Sequence, residues 1–229
     1  MTRIILVRHC EALGNTKGVF QGSIDCDIAG SAETQLDLLS IRCRNMPIDA
    51  IYSSPLLRAY KTAHAINRFH DLPIQVEPLL REISGGVLEG RLWEEMAERF
   101  PDELDTWLNR PWDFAPPEGE PMRQVYQRVW EGITGIVRKN QGKTVCAVSH
   151  GCAIRNILCN ALHQPLEQIN QVAGSANTAI SVIDFDDNLY STVVSMNDAS
   201  HLTPEVSSTA KFVWWKQNGR EASGKRGRS

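Results

Sequence analysis

Thr2-Arg-Ile-Ile-Leu-Val-Arg8 runs without a break into His9-Cys10-Glu11, and the rest of the chain is read outward from this stretch. Ile4 to Val7 are consecutive apolar residues with no helical spacing, the pattern of a strand buried on both faces. An arginine and a histidine then fall where that strand should end. In open α/β sheets, ligands collect beyond the carboxyl ends of strands, so a fixed cation and a titratable nucleophile stand at a predicted site edge. Thr144-Val-Cys-Ala-Val-Ser-His150-Gly151 repeats the design near the other end of the chain, with a second apolar strand delivering a second histidine.

Between these strands the pattern alternates. Ala12 to Asp27, with glycines at 14, 18 and 22, reads as a loop folded over something, and Asn15 and Gln21 are among its hydrogen-bonding groups. Ala32, Leu36, Leu39 and Cys43 recur at helical steps and predict a helix over 31–44. A short strand over 49–52 leads into Ser53-Ser54-Pro55, which predicts a serine-capped helix with an inward stripe of Ala59, Ala63 and Ile66. Arg58 falls in its first turn, where a cation opposes the helix dipole and hints at an anionic partner. A strand over 74–76 follows. The segment 88–121 is irregular and rich in Trp, Pro and acids, with short helices expected over 92–99 and 101–108. Such an insertion suits the wall or lid of a site, with Trp93, Trp107 and Trp112 as candidate lining. Met122, Val125, Val129, Ile133 and Ile136 make the strongest helical stripe in the chain. A helix over 153–162 and strands over 178–184 and 190–195, joined by Asp186-Asp187-Asn188, complete the regular structure. The expected fold is α/β: a three-layer α/β/α sandwich with a mostly parallel central sheet, an antiparallel edge, and a helical or irregular insertion over the active site.

Length and composition bound the function. The 229 residues suit one domain over 1–215, and 42% hydrophobic with 22% charged residues is ordinary for a globular chain. The net charge of −3 argues against nucleic acid as a partner. Residues 216–229 carry a net +4, have no apolar period and are expected to form a disordered basic tail. Neither a signal peptide nor a membrane span is read in the chain, and six cysteines without CxxC spacing fit a reducing, cytoplasmic setting. Trp214-Trp215 offers either a C-terminal contact or a homodimer interface, and the sequence does not choose.

Two strand-end histidines, two arginines and a glutamate remain to be explained together, and phosphoryl transfer accounts for all of them. A neutral imidazole nitrogen attacks phosphorus and carries the phosphoryl group. Arginine forks hold the nonbridging oxygens, and a carboxyl group protonates the departing alkoxide. The residues alone leave Glu11, Glu82 and Glu89 open for that last role. No nucleotide fingerprint or metal-ligand spacing is present, so no cofactor is expected. Cys10 and Cys152 lie one and two residues past the strand-end histidines, but neighbouring arginines would repel a metal cation.

Arg8-His9-Cys10-Glu11 resembles the Arg-His-Gly-Glu signature of the histidine phosphatase superfamily, which includes cofactor-dependent phosphoglycerate mutases, broad-specificity phosphatases and α-ribazole phosphatases. Ordered matches extend the resemblance from residue 3 to about 202: Asn15, Phe20-Gln21-Gly22, Tyr52-Ser53-Ser54-Pro55, Arg58-Ala59, Leu80-Arg81-Glu82-Ile83, Glu89-Gly90, Ser149-His150-Gly151, Asn177-Thr178 and Ser200-His201. The resemblance implies His9 as nucleophile, Arg8, Arg58 and His150 around the phosphate, and Glu82 as proton donor. Asn15, Gln21, Asn177 and Thr178 are implied as further phosphate or substrate contacts, and Glu89 as a residue that holds the loop together. The expected activity is hydrolysis of a small phosphomonoester through a phosphohistidine, nearest to the broad-specificity and α-ribazole phosphatase branch. A phosphoglycerate mutase and a noncatalytic phosphoester-binding protein are the alternatives.

Cys10 replaces the signature glycine, which is tolerable if the chain there needs no positive φ. Only 67 residues separate Glu82 from His150, and Glu94, Glu95, Glu98, Glu103, Glu118 and Glu120 lie between them. An acidic pocket wall is therefore expected, and it would disfavour the second phosphate a mutase handles. If the strand ends lie side by side, Cys10 and Cys152 would approach one another. Two reduced thiols without a regulatory role are the simpler expectation.

Overall fold

A computed structural model describes residues 1–207. Trp214, Trp215 and the basic tail lie outside the described residues. Six strands form one sheet: β1 (Thr2–Arg8), β2 (Ala50–Ser53), β3 (Ile74–Val76), β4 (Thr144–Ser149), β5 (Ile180–Phe185) and β6 (Ser191–Asp198). Their order is β3-β2-β4-β1-β5-β6. The first four strands in that order run parallel, while β5 and β6 pair antiparallel at one edge. The architecture is the expected three-layer α/β/α sandwich with a mostly parallel sheet.

The alternation of side chains along the central strands builds the layers. Ile4 and Leu6 of β1 and Val145 and Ala147 of β4 face one core, with helices α6 (Met122–Lys139) and α7 (Gly151–Ala161) packed on it. Ile5, Val7, Cys146 and Val148 face the opposite core, covered by α2 (Ala32–Cys43) and α3 (Leu57–Asn67). Because every second residue serves the other face, a continuous apolar run is what a central strand requires. The α6 stripe is realised as read: Val125, Val129, Ile133 and Ile136 are fully buried, each contributing about 1.5–3 kcal/mol of transfer free energy.

Several boundaries differ from expectation. The segment 12–27 contains a short helix, α1 (Leu13–Lys17), held at its start by Asn15 Oδ1 accepting from the Ala12 N–H at 2.9 Å. It ends at Gly18, whose φ of +65° suits glycine. Helix α3 begins at Leu57 without a side-chain cap, because the chain stays extended through Leu56, an apolar residue in the cap position; Ser54 Oγ, two residues earlier, meets the His150 ring at 2.6 Å and accepts from Leu56 N at 3.4 Å. β5 begins at Ile180 rather than Thr178, since Thr178 has a φ of +59° that no strand accommodates. Leu36 is half-buried, and Gln35 takes a fully buried place on α2. In the insertion, α4 (Trp93–Arg99) and α5 (Pro101–Asn109) form as expected. Among the described residues, no helix is long and apolar enough to cross a membrane.

Candidate active site

The register of the central strands assembles the site. Arg8 of β1 lies opposite Ser149 of β4, so the residues that follow each strand, His9 and His150, emerge side by side with ring centroids 5.1 Å apart. The His9 N–H donates to the Ser149 carbonyl at 2.9 Å. Ser54, just beyond β2, completes the row by its bond to His150 Nε2.

His9 is 2% exposed. Its Nδ1 lies 2.6 Å from the Cys10 carbonyl. A carbonyl oxygen only accepts, so Nδ1 carries the proton and Nε2 keeps its lone pair. Burial, then Arg58 and Arg8, push the His9 pKa well below the usual imidazole range. His150 is lowered in the same direction, by burial first and then by Arg58. Both rings are held neutral because a proton would be poorly solvated and repelled by two guanidinium groups.

Those guanidinium groups are held by carbonyl oxygens. Arg58 donates to Ile24 O at 2.7 Å and Gly22 O at 2.9 Å, and Arg8 donates through Nη1 to Ser175 O. Neither has a carboxylate within ion-pair distance among the described residues, and burial lowers the pKa of both, that of Arg8 to about 10. Arg8 Nε, Arg58 Nε and His150 Nδ1 are buried without a partner among the described residues. A cluster of unspent donors with uncompensated positive charge is suited to an anion.

Glu82 lies across from these cations. One carboxylate oxygen accepts from Ile83 N at 3.1 Å and Ala153 N at 3.0 Å, and the other from Cys152 N at 3.0 Å. It thus caps α7, where the helix dipole favours an anion. Glu89 does what the sequence reading assigned to it: Oε1 accepts from Ser23 N, Ser23 Oγ and Gly85 N at 2.7–2.8 Å, tying the first loop to the segment after Glu82. Glu11 is buried against α2: its N–H donates to Gln35 Oε1 at 2.8 Å, and a carboxylate oxygen accepts from Ser31 Oγ at 2.5 Å.

Arg8, His9, Asn15, Gln21, Arg58 and Glu82 all line one cleft of about 890 Å³ including its open mouth. His150 is fully buried beside His9 and does not line it. Asn177 and Thr178 depart from expectation. Asn177 Nδ2 donates to His9 O at 2.9 Å, and Thr178 N donates to Arg8 O at 3.1 Å. They secure the carbonyls at the end of β1, behind the cleft rather than in it.

The pocket wall also differs from the sequence reading. Trp93 and Trp107 line the cleft, whereas Trp112 packs on the core. None of the six glutamates of the insertion lines it, so the wall is not acidic. Glu95 is paired with Arg91 and Arg99, and Glu120 forms a buried bidentate pair with Arg128, both bonds 2.7 Å. The sequence reading missed Arg155 and Met122 as lining residues; a lone arginine amid the apolar residues of α7 was the available signal for the first.

Cys10 needs no positive φ, as anticipated. Its thiol faces Arg58 O and Thr62 on one side of the sheet, while Cys152 Sγ meets Met122 and Asn156 on the other. Burial raises the pKa of Cys10 to about 11 and that of Cys152 well above the usual thiol range, so neither is poised as a reactive thiolate.

A neutral, oriented imidazole at the end of a parallel strand, beside two arginines that form no ion pair among the described residues, defines a phosphoryl-transfer site. The chain matches the histidine phosphatase superfamily (branch 1) over residues 4–199 and belongs to it; it is a phosphoric monoester hydrolase of the histidine phosphatase type. It is 32% identical over 202 residues to phosphoserine phosphatase 1 of Hydrogenobacter thermophilus, covering 88% of this chain and 95% of that protein. Among solved structures, Bacillus stearothermophilus YhfR superposes with a TM-score of 0.84 at 28% identity, covering 88% of this chain and 99% of that one. A phosphoserine phosphatase mutant from Entamoeba histolytica in complex with phosphoserine superposes at 0.78 with 25% identity, covering 89% and 100%. Phosphoserine phosphatases, probable phosphoglycerate mutases and α-ribazole phosphatases all occur among the matches, so the α-ribazole branch is not singled out.

Proposed function

We propose that the protein hydrolyses a small phosphomonoester through a covalent phosphohistidine on His9. The observation that carries this reading is the bond from His9 Nδ1 to the Cys10 carbonyl, which leaves Nε2 as an unprotonated nucleophile in the cleft. Attack by Nε2 forms the P–N bond as the P–O bond to the alcohol breaks, and the developing imidazolium is stabilised by the Nδ1–H···O bond. Arg8 and Arg58 hold the nonbridging oxygens, with His150 as a further donor behind them. Asn15 and Gln21, at the loop edge of the cleft, contact phosphate or substrate.

Glu82 gives its proton to the departing alkoxide and then takes one from the water that attacks the phosphohistidine, which releases inorganic phosphate and restores His9. The position of Glu82 favours this assignment: it lines the same cleft as His9, Arg8 and Arg58.

The test is phosphate release from a panel of phosphomonoesters, phosphoserine among them, by wild type and His9→Ala, with acid-quench trapping of the phosphoenzyme. Turnover and acid-labile labelling are both expected in wild type and both absent in the variant. Undiminished turnover by His9→Ala, or stable binding without turnover by wild type, overturns the reading.

A further inference from the structure

We propose that Arg155 holds a carboxylate of the substrate, so that the preferred phosphomonoesters carry a carboxylate on the alcohol side. The inference rests on the hydrolase reading above and names the substrate class of the same cleft.

Gly151, Cys152 and Arg155 present one side of α7 to the cleft. Gly151 packs closely enough against Arg8 that a Cβ there would stand 3.4 Å from its guanidinium carbon, and the next two backbone N–H groups hold Glu82. Arg155 follows Gly151 by four residues, about 6 Å along the helix axis. Both positions line the cleft that holds His9, Arg8 and Arg58. Arg155 is itself half-buried where it lines the cleft, and a partly desolvated guanidinium is costly unless it is used.

Its bonding leaves it charged and available. Nε donates to Val172 O at 2.9 Å and Nη2 to Asn170 Oδ1 at 3.2 Å. Both acceptors are neutral; among the described residues Nη1 has no hydrogen bond, and no carboxylate forms an ion pair with Arg155. Burial lowers its pKa, the signature of a cation kept without a counter-ion. The two bonds fix the plane of the fork, and an oriented fork matches a carboxylate bidentately.

The charge of the wall selects a carboxylate over a second phosphate. Apart from Arg8 and Arg58 beside His9, Arg155 is the one cation among the described residues that line the cleft. A single guanidinium balances a carboxylate, whereas a phosphate dianion would keep excess charge against the apolar surface of Ile83, Trp93, Trp107 and Ile169. The same count disfavours the bisphosphorylated species that a mutase must hold.

The experiment compares substrates that differ only at this group: phosphoserine with phosphoethanolamine, and 3-phosphoglycerate with glycerol phosphate. Wild type is expected to favour the carboxylate member of each pair in kcat/KM by roughly 10- to 100-fold, the worth of a charge-assisted bidentate contact. Arg155→Met should bring both ratios toward one, mainly by raising KM for the carboxylate substrates, and Arg155→Lys should recover part of the preference. Ratios near one in wild type overturn the inference while leaving the hydrolase reading intact. So does an Arg155→Met variant that loses activity equally on both members of a pair, the mark of a merely structural role. A wild type that turns over no monoester removes the hydrolase reading and this one with it.

Discussion

The two neutral histidines should make stability depend on pH in a way that removing them abolishes. His9 and His150 are 2% and 0% exposed, and both pKa values are pushed well below the usual imidazole range. Their unfolded values lie near 6.5. Below that pH the unfolded chain gains protons that the folded protein refuses, so stability is full above about pH 6.5 and falls with pH until the folded rings themselves protonate. In the limiting case of rings that stay neutral to pH 5, each loses about 2 kcal/mol between pH 7 and pH 5, and the pair about 4 kcal/mol. That is a large share of the 5–15 kcal/mol typical of a folded protein.

Urea denaturation in phosphate-free buffer at pH 7, 6 and 5, for wild type and His9→Gln/His150→Gln, measures this directly. A bound anion would mask the effect by pairing with the same site, hence the choice of buffer. Wild type is expected to lose up to about 4 kcal/mol more than the variant over this range, with unchanged m values. His201, whose pKa is also lowered, contributes equally to both proteins and cancels. Curves for the two proteins that stay parallel within about 0.5 kcal/mol would refute the reasoning, since they would require the rings to titrate alike in both states. The acid limb of kcat/KM should likewise lie well below pH 6.5, because it reports loss of the free His9 nitrogen.

Glu82→Gln is expected to lower kcat on alkyl phosphates by about 10²- to 10⁴-fold, and far less on p-nitrophenyl phosphate, whose leaving group needs no proton; equal losses on both would reduce Glu82 to its role as the cap of α7. Arg128→Met should cost about 3–5 kcal/mol in chemical denaturation by stranding buried Glu120. Adding Glu120→Leu should restore most of that, and failure to do so would place the energy in the bonds from Arg128 to Leu79 O and Arg81 O. Cys10→Gly should leave turnover intact while lowering stability by about 1–2 kcal/mol, through lost burial and added backbone freedom; a large loss of kcat would mean the thiol takes part in the chemistry.

How much of this was legible in the chain depends on the range of the interactions concerned. β1, β4 and α6 are marked by local patterns, an unbroken apolar run or a four-turn stripe, and they form where the patterns place them. His9 and His150 follow from the same logic, because a strand end is visible in sequence and parallel pairing then sets them side by side. The boundary of α3 was not legible: Ser54 carries the signature of a cap, yet the chain stays extended through Leu56 and the helix starts beyond it, while Ser54 Oγ meets His150, a neighbour brought from 96 residues away. Asn177 and Thr178 were expected to contact phosphate or substrate and instead bond the carbonyls of His9 and Arg8, since no local pattern distinguishes bonding to a phosphate from bonding to the carbonyls behind the nucleophile. The acidic residues of the insertion suggested an acidic wall, yet a charge count reveals neither pairing nor direction: Glu95 and Glu120 are taken by arginines, and none of the six lines the cleft.

The contrast between Arg58 and Arg128 carries the same point into function. Both are arginines on helices packed against the sheet, and in sequence only Arg58 stands out, by its place in the first turn of its helix. Arg128 spends its charge on Glu120 and its remaining donors on Leu79 O and Arg81 O, so it fastens α6 to the segment that leads into Glu82 and has nothing left for a ligand. Arg58, only 1% exposed, is held just as firmly but by the neutral carbonyls of Gly22 and Ile24. Carbonyl acceptors fix the position of a guanidinium without cancelling its charge, at the expense of stability in the ligand-free protein. Arg8, held by Ser175 O, and Arg155, held by Val172 O and Asn170 Oδ1, follow the same rule. Three arginines positioned by neutral groups around one cleft, beside an arginine neutralised outside it, separate the residues set aside for an anionic substrate from those that hold the fold.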